Sequence, residues 1–150
     1  MEQTRKKTRI SVLISGSGSN LQSIIDKAES GWLPVEVVCV ISDKEKAYGL
    51  ERARKHGIPA FFVDRKLHAH REDHEEAIIK ILAQFDVELI VLAGYMRLLT
   101  SRLIDQYRNR IINIHPALLP SFPGTDGYGE AWRYGVKVSG CTVHFVDEGC

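Results

Sequence analysis

ISVLISGSGSN, residues 10–20, joins a short apolar run to a glycine-rich turn. The run Ile10–Ile14 is rich in β-branched residues, as expected of a strand that is covered on both faces. The segment Asn20–Ala28 follows with apolar side chains at the spacing of one helix face, at Leu21, Ile24, Ile25 and Ala28. This stretch therefore predicts a strand, a tight turn and a helix.

The same alternation continues along the chain. Further strands are predicted at Val35–Ile41, Ala60–Val63, Leu89–Ala93, Ile111–Ile114 and Val138–Val146. Helices are predicted at Tyr48–His56, Arg71–Phe85 and Ser101–Tyr107. Strand–helix alternation predicts the α/β class, with a doubly wound, mostly parallel sheet. Because such sheets bind ligands at the carboxyl ends of their strands, the candidate loops follow Ile14, Ile41, Ala93 and Ile114.

The length of 150 residues predicts a single domain over residues 1–150. Lys and Arg number 20 against 19 Asp and Glu, so the net charge of +1 gives no general attraction for nucleic acid. The longest apolar runs have only the length of a strand, and the N-terminal run is too short for a signal-peptide core. We therefore expect no nucleic-acid partner and no membrane partner.

The cysteines and histidines of the chain are weak candidates for a metal site. The three cysteines are odd in number and lack CxxC spacing, which argues against a disulfide framework and against zinc. Three histidines are spaced loosely like metal ligands near the start of an acidic helix, at His68, His70 and His74. We expect these histidines at the surface, no bound metal, and a reducing, cytoplasmic location for the protein.

The turn Ser15–Asn20 is a candidate anion site. Its two glycines allow a tight turn, and the free N–H groups at the start of the following helix point toward the crevice. Ser19 and Asn20 are also good helix N-caps, so capping alone is the competing interpretation. The position of the turn, after the first strand of a doubly wound sheet, favours a phosphate.

The sequence of the turn favours a monophosphate ester over a dinucleotide. The dinucleotide fingerprint GxGxxG needs Gly or Ala at position 21, where this chain has Leu21. A P-loop is excluded because no Gly-Lys-Ser/Thr follows the turn. Asp43, after the second predicted strand, is the one feature that keeps a dinucleotide interpretation open.

Asn113 and His115 lie two residues apart at the end of a predicted strand, so their side chains share a face. An amide and an imidazole on one face can converge on a single oxygen atom. Three prolines in the next eight residues stiffen the loop that follows, which favours a pre-organised site. The competing interpretation is a strand-end histidine that is hydrogen-bonded to backbone.

NIHPALLPSFPG, residues 113–124, resembles the signature of the formyltetrahydrofolate-dependent formyl transferases. The stretches SGSGSNLQ, AGYMRLLT and TVHFVDEG narrow the resemblance to the branch that formylates phosphoribosylglycinamide in purine synthesis. The resemblance runs from Ile10 to Cys150 and implies the Rossmann-like formyltransferase fold. It also implies that the C-terminal part of this fold is missing from the chain, together with a catalytic aspartate at what would be position 151.

The resemblance assigns three groups of residues. It implies binding of the substrate phosphate by Gly18, Ser19 and Asn20. It implies binding of folate by Arg71, Met96, Arg97, Leu98, Leu99, Asn113, Asp147, Glu148, Gly149 and Cys150. It implies catalysis by Asn113 and His115. Three other interpretations stay open: a solvated charge for Arg71, core packing for Met96 and both leucines, and a structural or supporting role for His144.

The resemblance implies transfer of a formyl group from 10-formyltetrahydrofolate to the amine of N1-(5-phosphoribosyl)glycinamide, in de novo purine biosynthesis. The partners are then these two small molecules, and the protein is a monomer or homodimer that uses no metal. Two alternatives remain. One is a formyltetrahydrofolate hydrolase, in which water replaces the amine. The other is a non-enzymatic dinucleotide-binding module built on Gly16, Gly18 and Asp43.

Overall fold

The computed structural model describes residues 6–115 and 142–148, and for His115 and Thr142 it describes the backbone only. The strands are β1 Thr8–Ile14, β2 Val35–Ser42, β3 Ala60–Phe62, β4 Leu89–Leu92, β5 Ile111–His115 and β6 Thr142–Phe145. The α-helices are α1 Ser19–Glu29, α2 Tyr48–Lys55, α3 Arg71–Gln84 and α4 Ser101–Gln106. A short 3-10 helix over Arg65–Leu67 precedes α3.

The six strands form one sheet in the order β3-β2-β1-β4-β5-β6. Neighbouring strands are parallel except for β6, which runs antiparallel to β5. The chain moves outward from β1 to β2 and β3, then returns to the other side of β1 with β4. The strand order therefore reverses between β1 and β4, and the carboxyl ends of these two strands form the switch point where ligands bind in doubly wound sheets.

Two apolar clusters cover the two faces of the sheet. Alternate residues of β1 point to opposite faces, so Leu13 joins one cluster while Val12 and Ile14 join the other. The first cluster includes the buried side chains of α3 and α4, and the second includes those of α1 and α2. Each fully buried Leu or Ile contributes about 1.5–3 kcal/mol. Helices on both faces confirm the doubly wound arrangement that the alternation predicts.

The predicted elements agree with the structure within two residues at the ends that lie in the described part of the chain. The largest shift is at β1, which begins at Thr8 rather than Ile10. Of the predicted strand Val138–Val146, the described part is Thr142–Phe145, and residues 138–141 lie outside the described residues. Within residues 6–115 and 142–148, every helix is too short or too polar to cross a membrane.

Candidate active site

The turn after β1 has the conformation of an open helix N-terminus. Gly18 is the N-cap of α1 at φ 75°, and no side chain caps the helix. Its carbonyl accepts the first helical hydrogen bond from the amide of Gln22, at 2.8 Å. Ser19 and Asn20 are the first two helical residues, and both are exposed. The capping interpretation of these two residues is therefore wrong, and the exposed N-terminal amides stay available to an anion.

Close backbone packing holds this turn against α2. A Cβ atom on Gly18 would lie 2.6 Å from the Cα of Gly49, closer than real Cβ contacts come. The Gly49 amide donates to the Gly16 carbonyl at 3.1 Å, and Arg52 Nε donates to the Ser17 carbonyl at 2.7 Å. A Cβ on Gly49 would clash with Ile14 Cδ1 and lie 3.3 Å from the Gly18 Cα, so neither Gly18 nor Gly49 has room for a side chain.

The carboxylate of Asp43 is buried and hydrogen-bonded within the protein. Its side chain is only 6% exposed, and its Oδ1 accepts a hydrogen bond from the Ser15 hydroxyl at 2.5 Å. Ser15 Oγ in turn accepts a hydrogen bond from the Met96 amide at 2.9 Å. A dinucleotide site would need this carboxylate free to meet ribose hydroxyls. These hydrogen bonds of Asp43 and Ser15 therefore argue against the dinucleotide-binding alternative.

The segment Met96–Leu99, which follows β4, presents apolar side chains to solvent. Met96 is 60% and Leu98 is 68% exposed, so the core interpretation is wrong for these two residues. Leu99 is partly buried and packs against the first apolar cluster, and Arg97 is also half-buried. An exposed Met and Leu beside an arginine suit a flat, partly apolar ligand.

Arg71 opens α3, the helix that packs against α4. Its side chain is exposed, at a helix N-terminus where a positive charge is electrostatically unfavourable. Tyr95 lies just before the apolar segment, and burial, with the negative charge of Asp43 as the next cause, raises the pKa of its phenol. Tyr95 therefore stays neutral, and it packs against the first apolar cluster.

Asn113 lies at the centre of β5, paired with Leu92 of β4 and His144 of β6. Its Nδ2 is 3.4 Å from His144 Nε2, while His144 Nδ1 is 3.0 Å from the Phe145 carbonyl. This pair of contacts fits the tautomer in which Nδ1 donates to the carbonyl and Nε2 accepts from the amide. The structure thus places His144 in contact with Asn113, and the choice between a structural and a supporting role stays a prediction.

His115 ends β5, and its backbone pairs with Thr142. Asn113 and His115 are two residues apart on this strand, and the shared face of their side chains stays a prediction, since only the backbone of His115 is described. The loop after β5 carries the three prolines, and it lies outside the described residues.

Asp147 and Glu148 follow β6, and both are exposed. Glu148 forms an ion pair with Arg108, which in turn pairs with Asp105. The hydrogen bond from Arg108 is the main cause that lowers the pKa of the Glu148 carboxyl to about 2. Of the residues assigned to this folate loop, Gly149 and Cys150 lie outside the described residues.

The histidines of the acidic helix do not all lie at the surface. His70 is exposed, whereas His74 is buried, with its Nε2 2.9 Å from the Val63 carbonyl and its ring against that of His68. The expectation of a surface position is wrong for His74, because its side chain packs against Val63 and His68, in the connection between β3 and α3. Among residues 6–115 and 142–148, no group of three or more His, Cys, Asp and Glu side chains could hold a metal ion.

Sequence reasoning missed Glu75, which is 4% exposed and faces the segment after β4. It accepts hydrogen bonds from the Thr100 amide at 2.7 Å, the Thr100 hydroxyl at 2.6 Å and the Leu103 amide at 3.0 Å. A signal for its burial is present. Position 75 lies three residues before Ile78 and seven residues before Leu82, which is the spacing of one helix face. It therefore continues the apolar stripe of α3.

Comparisons with known proteins agree with this geometry. A family model described as formyl transferase matches residues 8–150. The chain is 45% identical over 141 residues to phosphoribosylglycinamide formyltransferase of Bacillus subtilis (strain 168), covering 94% of this chain and 72% of that protein. It is 42% identical over 144 residues to the human trifunctional purine biosynthetic protein adenosine-3, covering 96% of this chain but 14% of that protein's length.

Solved structures give the same result. The structure of glycinamide ribonucleotide transformylase 1 from Symbiobacterium toebii superposes with a TM-score of 0.93 at 48% identity, covering 96% of this chain and 68% of that chain. The transformylase 1 from Geobacillus kaustophilus superposes with the same score at 43% identity, covering 95% of this chain and 76% of that chain. The match covers the sheet, the turn after β1 and the ends of β4 and β5 together. The chain belongs to the formyl transferase family.

Proposed function

We propose that this protein transfers the formyl group of 10-formyltetrahydrofolate to the amine of N1-(5-phosphoribosyl)glycinamide, a step of purine biosynthesis. The observation that carries the proposal is the switch point between β1 and β4. An uncapped helix N-terminus follows β1, and an exposed apolar segment follows the neighbouring β4. One edge of the sheet thus offers an anion site next to a surface for a planar ring.

The phosphate of the glycinamide substrate is assigned to Gly18, Ser19 and Asn20. The N-terminal amides of α1 donate to the phosphate oxygens, and the positive end of the helix dipole favours the dianion. Because Gly18 has no Cβ, the turn packs close to α2, and this packing fixes the direction of the N-terminal amide N–H groups. The exposed Ser19 and Asn20 side chains add polar donors at the mouth of the site.

The folate cosubstrate is assigned to Met96–Leu99, Arg71, Asn113 and the loop that starts at Asp147. Met96 and Leu98 supply apolar surface for the pteridine, and their exposure fits a ligand that covers them. Arg71 and Arg97 supply positive charge near this surface, which suits the carboxylates of the glutamate tail. The Glu148, Gly149 and Cys150 positions belong to the same proposed folate loop.

The chemistry is assigned to Asn113 and His115. The substrate amine, with a pKa near that of an α-amino group at about 8, has an appreciable free-base fraction at neutral pH and attacks the formyl carbon directly. The amide of Asn113 and the imidazolium of His115 then donate hydrogen bonds to the oxyanion of the tetrahedral intermediate. The attacking nitrogen loses a proton to water, and His115 donates its proton to the departing folate nitrogen, so the C–N10 bond breaks and the products are the formylated amine and tetrahydrofolate. These steps need no metal and no covalent enzyme intermediate.

His144 supports this pair in the proposal. Its Nε2 lies against the Asn113 amide, so it fixes which way the amide nitrogen points. An unperturbed histidine has a pKa of about 6.5 and is mostly neutral at pH 7, so His115 needs a neighbouring carboxylate to stay protonated. The family resemblance assigns that carboxylate to the position after Cys150. The proposal also includes a cytoplasmic location, a single domain over residues 1–150, and a monomer or homodimer.

The test is a formyl-transfer assay with three arms on the purified full-length protein. 10-Formyltetrahydrofolate is supplied with phosphoribosylglycinamide, with no acceptor, or with dephosphorylated glycinamide riboside. The proposal expects release of tetrahydrofolate only with the phosphorylated acceptor. Equal release without acceptor would instead identify a hydrolase. Tight binding of NAD, with no binding of 10-formyltetrahydrofolate, would identify a dinucleotide-binding module.

A further inference from the structure

The segment Met96–Leu99 exposes Met96 and Leu98, and it is anchored at both ends. At its start, the Met96 amide donates to Ser15 Oγ. Just past its end, Thr100 donates twice to Glu75. Neither anchor belongs to the segment or to the residues assigned to substrates. Each anchor includes a carboxylate that is almost fully buried. In the first anchor it is Asp43, which accepts a hydrogen bond from Ser15, and in the second it is Glu75.

We infer that the Ser15–Asp43 pair and Glu75 are positioning residues that hold the segment Met96–Leu99 in place for the folate cosubstrate. The inference rests on the proposed function, because it assumes that folate lies on this segment. None of the three residues contacts folate in this account. They act by fixing the backbone that presents Met96 and Leu98.

The first anchor joins the two substrate loops. Ser15 is the residue that follows β1, directly before the phosphate turn. Its hydroxyl donates to Asp43 at 2.5 Å, which leaves its lone pairs directed toward the Met96 amide at 2.9 Å. A charged acceptor makes such a hydrogen bond shorter and stronger than a neutral one. The carboxylate of Asp43 therefore sets the direction in which Ser15 accepts.

The second anchor joins the two folate elements. Glu75 lies one helical turn after Arg71 on α3, so the two residues lie along the same side of that helix. Glu75 receives two hydrogen bonds from Thr100, the N-cap of α4, and one from the Leu103 amide in the first turn of that helix. A single buried carboxylate thus ties the helix of Arg71 to the end of the exposed segment.

Burial explains why these anchors are rigid. A buried carboxylate is unfavourable unless hydrogen bonds compensate for the lost water, so its donors are held firmly in place. Among the described residues, no buried side-chain nitrogen or oxygen lacks a partner. Replacement of Glu75 by glutamine keeps the shape but sets an NH₂ group against a backbone N–H, and this conflict frees the end of the segment.

The chain offers matched controls for both anchors. Glu76 is the next residue on α3, and its exposed carboxylate bonds to Arg102 of α4 at 2.7 Å. Glu76→Gln removes the same charge from the same helix pair without touching Thr100. Ser11 is a buried serine of β1 whose hydroxyl accepts from Cys39 Sγ at 3.3 Å. Ser11→Ala makes the same chemical change as Ser15→Ala at a position four residues earlier, inside β1.

The experiment measures two binding constants for each variant by calorimetry, one for 10-formyltetrahydrofolate and one for phosphoribosylglycinamide. Glu75→Gln is expected to weaken folate binding about tenfold and to change binding of the phosphorylated substrate less than twofold. Ser15→Ala is expected to weaken folate binding more than substrate binding. Glu76→Gln and Ser11→Ala are expected to leave both constants within twofold of the wild-type values.

Amide hydrogen exchange supplies a readout that needs no ligand. Faster exchange is expected at Met96 in Ser15→Ala, and at Thr100 and Leu103 in Glu75→Gln, with no change at these amides in the two controls. Unchanged exchange together with unchanged folate affinity would overturn the inference. Equal losses for both ligands would also overturn it, because they would indicate general destabilisation. Failure of the wild-type protein to bind 10-formyltetrahydrofolate would overturn the proposed function, and the folate role of the anchors with it.

Discussion

The turn after β1 is fixed by backbone atoms, whereas the segment after β4 is fixed by side chains from other elements. In the turn, Gly18 and Gly49 meet without room for a Cβ atom, and the Gly49 amide bonds to a loop carbonyl. In the segment, Ser15 and Glu75 hold the ends and leave the middle exposed. A phosphate site needs amide N–H groups that point in one fixed direction, and close backbone packing fixes that direction. A surface that binds a ring needs exposed apolar side chains. The backbone that presents them keeps its position because both ends of the segment are anchored.

The largest expected effect is on turnover. Substitution of a catalytic residue should lower kcat without weakening the binding of substrates at either loop. Replacement of His115 by alanine is expected to lower kcat about 100- to 1000-fold, because its donor acts on charge that appears in the transition state. The dissociation constants of both substrates should stay within a few fold of wild type. Asn113→Ala is expected to lower kcat in the same way. An unchanged kcat with a raised KM would reassign His115 to binding and break the separation.

The glycine contact predicts the largest stability effect. Gly18→Ala places a Cβ against the Gly49 backbone at a positive φ, so we expect a loss of about 2–4 kcal/mol in the free energy of unfolding, measured in urea. Binding of phosphoribosylglycinamide should weaken as well. Gly16→Ala is the matched control, since a Cβ there meets nothing within 4 Å. Similar losses in both variants would mean that the turn is not held by this contact.

The exposed leucine of the segment predicts a loss of binding without a loss of stability. Leu98→Ala should weaken binding of 10-formyltetrahydrofolate about tenfold, because the ligand loses apolar contact area. The free energy of unfolding should change by less than about 0.5 kcal/mol, as for most exposed positions. Leu67→Ala is the control, because Leu67 is 80% exposed on the 3-10 helix before α3. Equal folate affinity in both variants would remove Leu98 from the site.

The smallest effect concerns the loop after β6. The pKa of Glu148 is lowered to about 2 by Arg108, so this pair stabilises the fold above the ordinary pKa near 4.5 and loses that effect as pH falls toward 2. The side chains of Arg108 and Glu148 are 45% and 54% exposed, which keeps the contribution of the pair small and sensitive to salt. Carbon-detected NMR titration should show the Glu148 pKa return toward 4.5 in Arg108→Gln. A wild-type value already near 4.5 would rule out the pair in solution.

The sequence predicts the elements well because their causes are local. Apolar periodicity and glycine positions identify the strands and helices around Ile10–Asn20, and the family motifs identify the formyl transferase family. Right-handed crossovers allow more than one strand order in a doubly wound sheet, so the order β3-β2-β1-β4 comes from the structure. The 3-10 helix at Arg65–Leu67 is too short to leave a periodic signal, and it was not predicted.

Long-range contacts explain what the sequence did not predict. Gly49 approaches Gly18 from 31 residues away, and no local pattern shows that the two glycines meet. His74 and Glu75 read as part of an exposed acidic helix, yet the donors that compensate for burial of Glu75 come from Thr100, 25 residues further on. Asp43 suggested a ribose contact, whereas its partner is a serine that is 28 residues earlier. In each case a distant partner decides the role of the residue.

The most direct test of the account is a crossed titration of its two loops. Phosphoribosylglycinamide and 10-formyltetrahydrofolate are each titrated into Gly18→Ala and Glu75→Gln at a temperature where both variants are folded. The account predicts opposite losses: Gly18→Ala weakens binding of the phosphorylated substrate and spares folate, while Glu75→Gln weakens folate and spares the phosphorylated substrate. Parallel losses of both ligands in both variants would contradict the assignment of separate sites to the two loops.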